Sequence, residues 1–225
     1  MPDENTVSVA GQRVAMILPG TWTNVPLDDE TSARALVHDL VRRRMGTDDH
    51  SANMRADAVD DTMATIASGV AAGVHTYLIS LELVPGVPFP AAILMADEPW
   101  PVTAQPGLGA DDLLRALTEG FPGGAVLDLR SGPAVRVADH AQAAAPLSRG
   151  PVSRLEYHIP YPDRAQVLYA RVSTPHLPVA GPITDLFDQI IDSITFPDGA
   201  VDPPSATPAS HDQSTRPTEP ELCAE

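Results

Sequence analysis

The sequence predicts an α+β protein in which an antiparallel β-sheet is flanked by helices. Three observations carry that prediction. Strand-like segments from residue 74 onward come in pairs joined by short turn sequences. Helical apolar stripes fall mostly outside those pairs, near the start and at the end. A chain of 225 residues that is 43% apolar is long enough to close one sizeable core.

The elements follow in order. Val7 to Leu18 alternates loosely and is interrupted by Gly11-Gln12, which reads as a broken strand or small hairpin ended by Pro19-Gly20. From Asp28 the period changes: Ala33, Leu36, Val37, Leu40 and Val41 make one stripe of a helix. Asp28, Asp29 and Glu30 sit at its positive end and Arg42, Arg43 and Arg44 at its negative end, so both termini match the dipole. A second helix starts after Ser51, turns Val59, Met63, Ile66 and Val70 inward and is capped by Gly73, with Asp57, Asp60 and Asp61 on its solvated side. In the next strand Tyr77, Ile79, Leu81 and Leu83 share one face and Thr76, Ser80 and Glu82 the other.

Pro85-Gly86 turns that strand into a second, Ala91 to Ala96, paired antiparallel. After the proline-rich stretch Asp97 to Gly109, a short helix from Ala110 to Glu119 is buried through Leu113, Leu114 and Leu117. Ala125 to Leu129 with Ala134 to Ala138, and Val152 to Tyr161 with Ala165 to Thr174, read as consecutive antiparallel hairpins. The last helix starts near Pro182 and carries Ile183, Leu186, Phe187, Ile190, Ile191 and Ile194 on one stripe. Residues 1–197 thus form one domain. Residues 198–225, with six acids against one Arg and little apolar area, read as a disordered Pro-rich acidic tail.

Charge and motifs exclude several functions. The formal net charge is −16, and all 14 basic residues are Arg, so no basic stripe for nucleic acid is expected; Arg42 to Arg44 are accounted for by the helix end. The N-terminus lacks the features of a secretory signal and no window approaches the roughly 18 apolar residues of a membrane span, so a cytoplasmic protein without membrane insertion is expected. The single Cys223 excludes an internal disulfide and a cysteine metal cage. The sequence contains none of the G-x-G-x-x-G, G-x-x-x-x-G-K-[ST], G-x-S-x-G or H-E-x-x-H motifs, and no cofactor is expected. The glycines of GLGADD, from Gly107, lack a preceding strand.

Two groups of residues remain as candidates. Trp22, Phe89 and Trp100 stand in proline-bracketed loops, the setting of stiff aromatic interface anchors; Trp22 reads as a lid on the sheet edge, leaving Trp100 and Phe89 as the partner-binding candidates. Asp48-Asp49-His50, between the first two helices, has ligand chemistry for a divalent ion, although such residues are commoner as solvated turns. His158, mid-strand, reads as an exposed residue on an outer hairpin face.

Leu18-Pro19-Gly20-Thr21-Trp22 resembles the "P-x-G-W" opening of the PsbP-like family, whose other branch is the Ran-binding nuclear-import factor. Leu186 to Phe196, LFDQIIDSITF, resembles that family's terminal helix ending in "S-[FIL]-x-F". The resemblance implies an α/β/α sandwich and a non-enzymatic accessory role. Two helices follow the Trp where the family more usually has a further strand. Ala- and Arg-rich actinobacterial proteins of similar appearance are met near type VII secretion genes, and the absence of Y-x-x-x-[DE] points to a cytosolic helper and not a secreted substrate. The expected function is therefore protein binding as an accessory or adaptor, with a partner of unknown identity. The alternative is a metal-dependent hydrolase using Asp48-Asp49-His50 with His75 or His158.

Overall fold

The computed structural model describes residues 6–9, 13–84, 86–102, 104–107, 109–141, 152–175 and 180–197. The expected tail and Cys223 lie outside these residues. The fold is α+β: a seven-stranded antiparallel sheet with helices on both faces.

A hairpin of β1 (Thr6–Val9) and β2 (Val14–Ile17) forms a separate two-stranded sheet. It is followed by β3 (Thr21–Asn24), α1 (Glu30–Met45), α2 (Ala52–Ala71), β4 (Val74–Val84) and β5 (Val87–Glu98). Then come α3 (Ala110–Gly120), β6 (Ala125–Leu129), β7 (Gly132–Ala141), β8 (Val152–Pro160), β9 (Val167–Pro175) and α4 (Ala180–Asp192). The large sheet runs β3-β4-β5-β9-β8-β7-β6. The strands after α3 form a meander whose last strand, β9, returns to pair with β5.

The strand period divides the sheet into two faces. On one, Ile93, Met95, Leu155, Tyr157, Ile159, Leu168, Ala170 and Val172 pack beneath α4 and the β1–β2 hairpin, with Phe187, Ile191 and Ile194 fully buried among them. On the other, two separate apolar clusters form. One joins α1 and α2 to Tyr77 and Ile79; the other joins α3 to Trp100, Val135 and Val167.

The helix ends obey the local rules. The Asp29 carboxylate caps α1 by accepting from the Thr31 and Ser32 amides, and Arg42, Arg43 and Arg44 occupy its last turn. Ser51 precedes α2 but makes no side-chain cap. Gly73 follows α2 at φ 87°, a conformation that costs a glycine nothing.

Four expectations need correction. Trp22 lies within a strand, β3, which a four-residue segment with alternating Thr and a Trp barely announces. Phe89 lies within a strand, β5, and not in a loop, because the chain pairs back on β4 from Val87 onward. Val70 is 43% exposed, since the last turn of α2 runs past the residues packed on α1 and β4. Leu114 is 41% exposed, because Ala116 takes the inward place between Leu113 and Leu117.

Polar pins hold the covering elements down. The hydroxyl of Tyr157, fully buried, donates to Asp188 on α4 at 2.9 Å, and Arg136 pairs closely with the same carboxylate. Asp192 accepts from the Arg130 amide at 2.8 Å. Ala15 and Thr195 exchange backbone hydrogen bonds of 3.0 and 2.8 Å, tying β2 to the segment that follows α4. Phe187→Ala should cost about 3–5 kcal/mol in chemical denaturation, while Val70→Ala should stay within about 0.5 kcal/mol. Comparable losses at the two positions would contradict the assignment of the core.

Candidate functional site

Trp100 is not presented to solvent. It is 4% exposed, packs with α3, and its indole N–H donates to the Arg164 carbonyl at 2.9 Å. The flanking prolines aim the ring at the core, where its single donor is satisfied. Phe89 is half-buried against the main core. Trp22 covers the sheet edge as expected, half-buried with its N–H on the Pro19 carbonyl at 2.8 Å.

Asp48, Asp49 and His50 are all exposed, the last two in a short 3₁₀ turn. Among the described residues no group of three or more His, Cys, Asp or Glu is placed to hold a metal ion. Gly107, Gly109 and Asp112 form a structural clasp. Asp112 accepts from the Gly109 amide at 3.3 Å, occupying the start of α3, and a Cβ at Gly107 would collide with that carboxylate. Arg164, in the left-handed region at φ 56°, donates to the carbonyls of Gly107 and Gly109 at 2.8 and 3.0 Å.

One polar cluster gathers at an end of the sheet. Asp97 accepts from the Tyr161 hydroxyl at 2.6 Å and pairs closely with Arg13. His75 places Nε2 3.3 Å from the same carboxylate and Nδ1 2.9 Å from the Thr76 hydroxyl. An ionised Asp97 only accepts, so Nε2 carries the proton and Nδ1 accepts from Thr76. Burial works against the Asp97 charge, yet the hydrogen bonds from Tyr161 and Arg13 and the neighbouring His75 and Arg13 hold its carboxyl below the usual range. Burial lowers His75 despite Asp97, which favours the neutral ring. The sequence Thr-His-Asp has the order of a nucleophile relay, but Thr76 is 1% exposed and beyond the reach of a substrate. The cluster's work is to join the N-terminal hairpin, β4, β5 and the end of β8.

A second set lies on the α1–α3 face, on strands β5, β9 and β8 between the two helical clusters. The register puts Glu156 opposite Arg171 and His158 opposite Tyr169, all on one side. The Tyr169 hydroxyl donates to Glu156 at 2.8 Å; the Arg171 Nε stands 3.9 Å from that carboxylate, and its guanidinium lies 5.7 Å from the centre of the Tyr169 ring. Glu98, Tyr169, Glu156 and Arg171 are each half-buried. Burial, then repulsion from Glu156, raises the Glu98 carboxyl above its usual range against the pull of Arg171. The result is a charged floor on a rigid sheet, flanked by α1–α2 and by α3.

His158 contradicts its expected exposure. It is 8% exposed and stacked on Phe121 at 3.8 Å between ring centres, with Tyr169 tilted at 5.4 Å. The turn after α3 brings Phe121 over β8, a packing that strand periodicity alone does not reveal. Its Nδ1 is buried without a partner.

Glu98, Glu156, Tyr169 and Arg171 belong to no motif or spacing pattern that singles them out as a site. The sequence shows alternation only: Arg154, Glu156 and His158 alternate with Leu155, Tyr157 and Ile159, and Tyr169, Arg171 and Ser173 alternate with Leu168, Ala170 and Val172. Two neighbouring strands with polar residues in register form a polar patch, and only the flanking helices turn it into a furrow. Among the described residues no helix is long and apolar enough to cross a membrane. No protein-family model matches the chain, and neither does any curated protein sequence.

Burial pushes the His158 imidazole down to about 4 from an ordinary 6.5. Between those values the unfolded chain takes up a proton that the folded chain refuses. Stability from this residue is therefore complete above pH 6.5 and is lost as pH falls toward 4, by on the order of 3 kcal/mol. Subtracting the stability–pH curve of His158→Phe from that of the native chain should expose this loss, and a flat difference between pH 7 and 4 would refute it.

Proposed function

We propose that this chain is a non-enzymatic accessory protein of PsbP-like type that binds a protein partner in the cytoplasm, with type VII secretion as the process it serves. The observation that carries the reading is the half-buried charged floor of Glu98, Glu156, Tyr169 and Arg171. Recognition surfaces set on rigid strands lose little entropy on binding, and polar groups held ready in a furrow give specificity. The buried Trp100 moves the expected contact surface from the proline loop to this floor. Among the described residues, Asp48, Asp49 and His50 converge with neither His75 nor His158 on a metal-holding group, which supports binding over metal-dependent hydrolysis.

Ser173, half-buried at one end of the floor, offers a steric test. Crosslinking and co-purification from native cells should recover a specific partner with the native chain, and Ser173→Trp should lose it with an unchanged thermal melt. Recovery of the same partner by Ser173→Trp, or of none by the native chain, would overturn the reading. Trp100→Ala is unsuited to this purpose, because it removes a buried ring and should cost about 3–5 kcal/mol of stability.

A further inference from the structure

In a chain with 30 acids against 14 arginines, an arginine has many carboxylates to choose from. Arg13, Arg34, Arg130 and Arg136 each hold one within bonding distance. The floor is different. Arg171 approaches Glu156 only at 3.9 Å, its side chain is 33% exposed, and its Nε is buried without a hydrogen-bond partner. Arg154 lies on the same side, two residues along β8 from Glu156, the residue opposite Arg171. It too is half-buried, and no hydrogen bond or ion pair of its side chain is found among the described residues.

A guanidinium taken partly out of water without a tight partner is costly, and proteins keep such groups where something completes them. Here the inner side of the Arg171 fork faces Glu156, which is already engaged by Tyr169. Among the described residues the terminal nitrogens of Arg171 make no hydrogen bond or ion pair, and the Nη1–Nη2 edge of a guanidinium can grip a carboxylate bidentately. The ring of Tyr169 beneath the guanidinium restrains its plane.

We propose that the furrow is a carboxylate-recognition site, in which the terminal nitrogens of Arg171, assisted by Arg154, receive a carboxylate borne by the protein partner. The assignment rests on the partner-binding reading above for the source of the group. The chemistry itself is that of any carboxylate, including a small organic acid.

Titration of the full chain with benzoate and with its uncharged analogue benzamide, followed by nuclear magnetic resonance, tests the chemistry. Benzoate should shift the Arg171 Nε–H and Tyr169 signals saturably, and benzamide should not. Arg171→Leu and Arg171→Lys should each weaken benzoate binding roughly tenfold or more at an unchanged melt, since a lysine keeps the charge and loses the fork. Equal response to both probes, no response to benzoate, or retained binding in either variant overturns the proposal.

A short N-acetylated alanine peptide with a free or an amidated C-terminus then tests the source. Preference for the free acid supports a peptide carboxylate, whereas binding of benzoate with neither peptide overturns it in favour of a small acid. Failure of these titrations beside a successful Ser173→Trp capture experiment would remove the carboxylate and leave the partner.

Discussion

The pairing of β9 between β5 and β8 is the constraint on which the rest of the structure depends. It joins the β3–β4–β5 half, with its two helices, to the meander that follows α3. It also fixes parity. With Ile93 beside Val172 and Tyr157 beside Ala170, the apolar residues of three strands share the face under α4. Tyr169 and Arg171 must then point to the opposite side. A slip of one residue would drive a tyrosine and an arginine into the α4 core, so the hydrophobic register and the charged floor are two results of one alignment.

Polar contacts fasten what covers the sheet. Asp188 accepts from Tyr157 beneath α4, and Asp97 gathers Arg13, Tyr161 and His75 at the sheet end. Such contacts are worth modest net energy when made and cost more when one partner is removed, so they select a position for the covering element. Arg164 does the same for the loop before α3, accepting a left-handed backbone so that its guanidinium reaches two carbonyls and its own carbonyl reaches Trp100.

Much of this architecture was legible in the sequence. The stripes of α1 and α4, the hairpin turns and the glycine after α2 are local signals, and local physics decides them. The strand at Trp22 was not legible, because four residues at a sheet edge owe their conformation to β4. The site was legible only in part. Alternation marked Glu156, His158, Tyr169 and Arg171 as one polar side of two strands, but whether that side is a solvated surface or a furrow depends on where α1, α2 and α3 settle. Trp100 and His158 failed for one reason: prolines and strand position describe a residue's own backbone, whereas burial is set by what arrives from elsewhere, here α3 and Phe121.

The central claim is that β9 is the rigid seam beneath the furrow, and native-state amide hydrogen exchange tests it most directly. The account predicts that the amides of Leu168, Tyr169, Ala170, Arg171 and Val172 exchange only through global unfolding, with the same denaturant dependence as those of Ile93 and Tyr157. Exchange of the β9 amides through a low-energy local opening, while β5 and β8 stay protected, would contradict it.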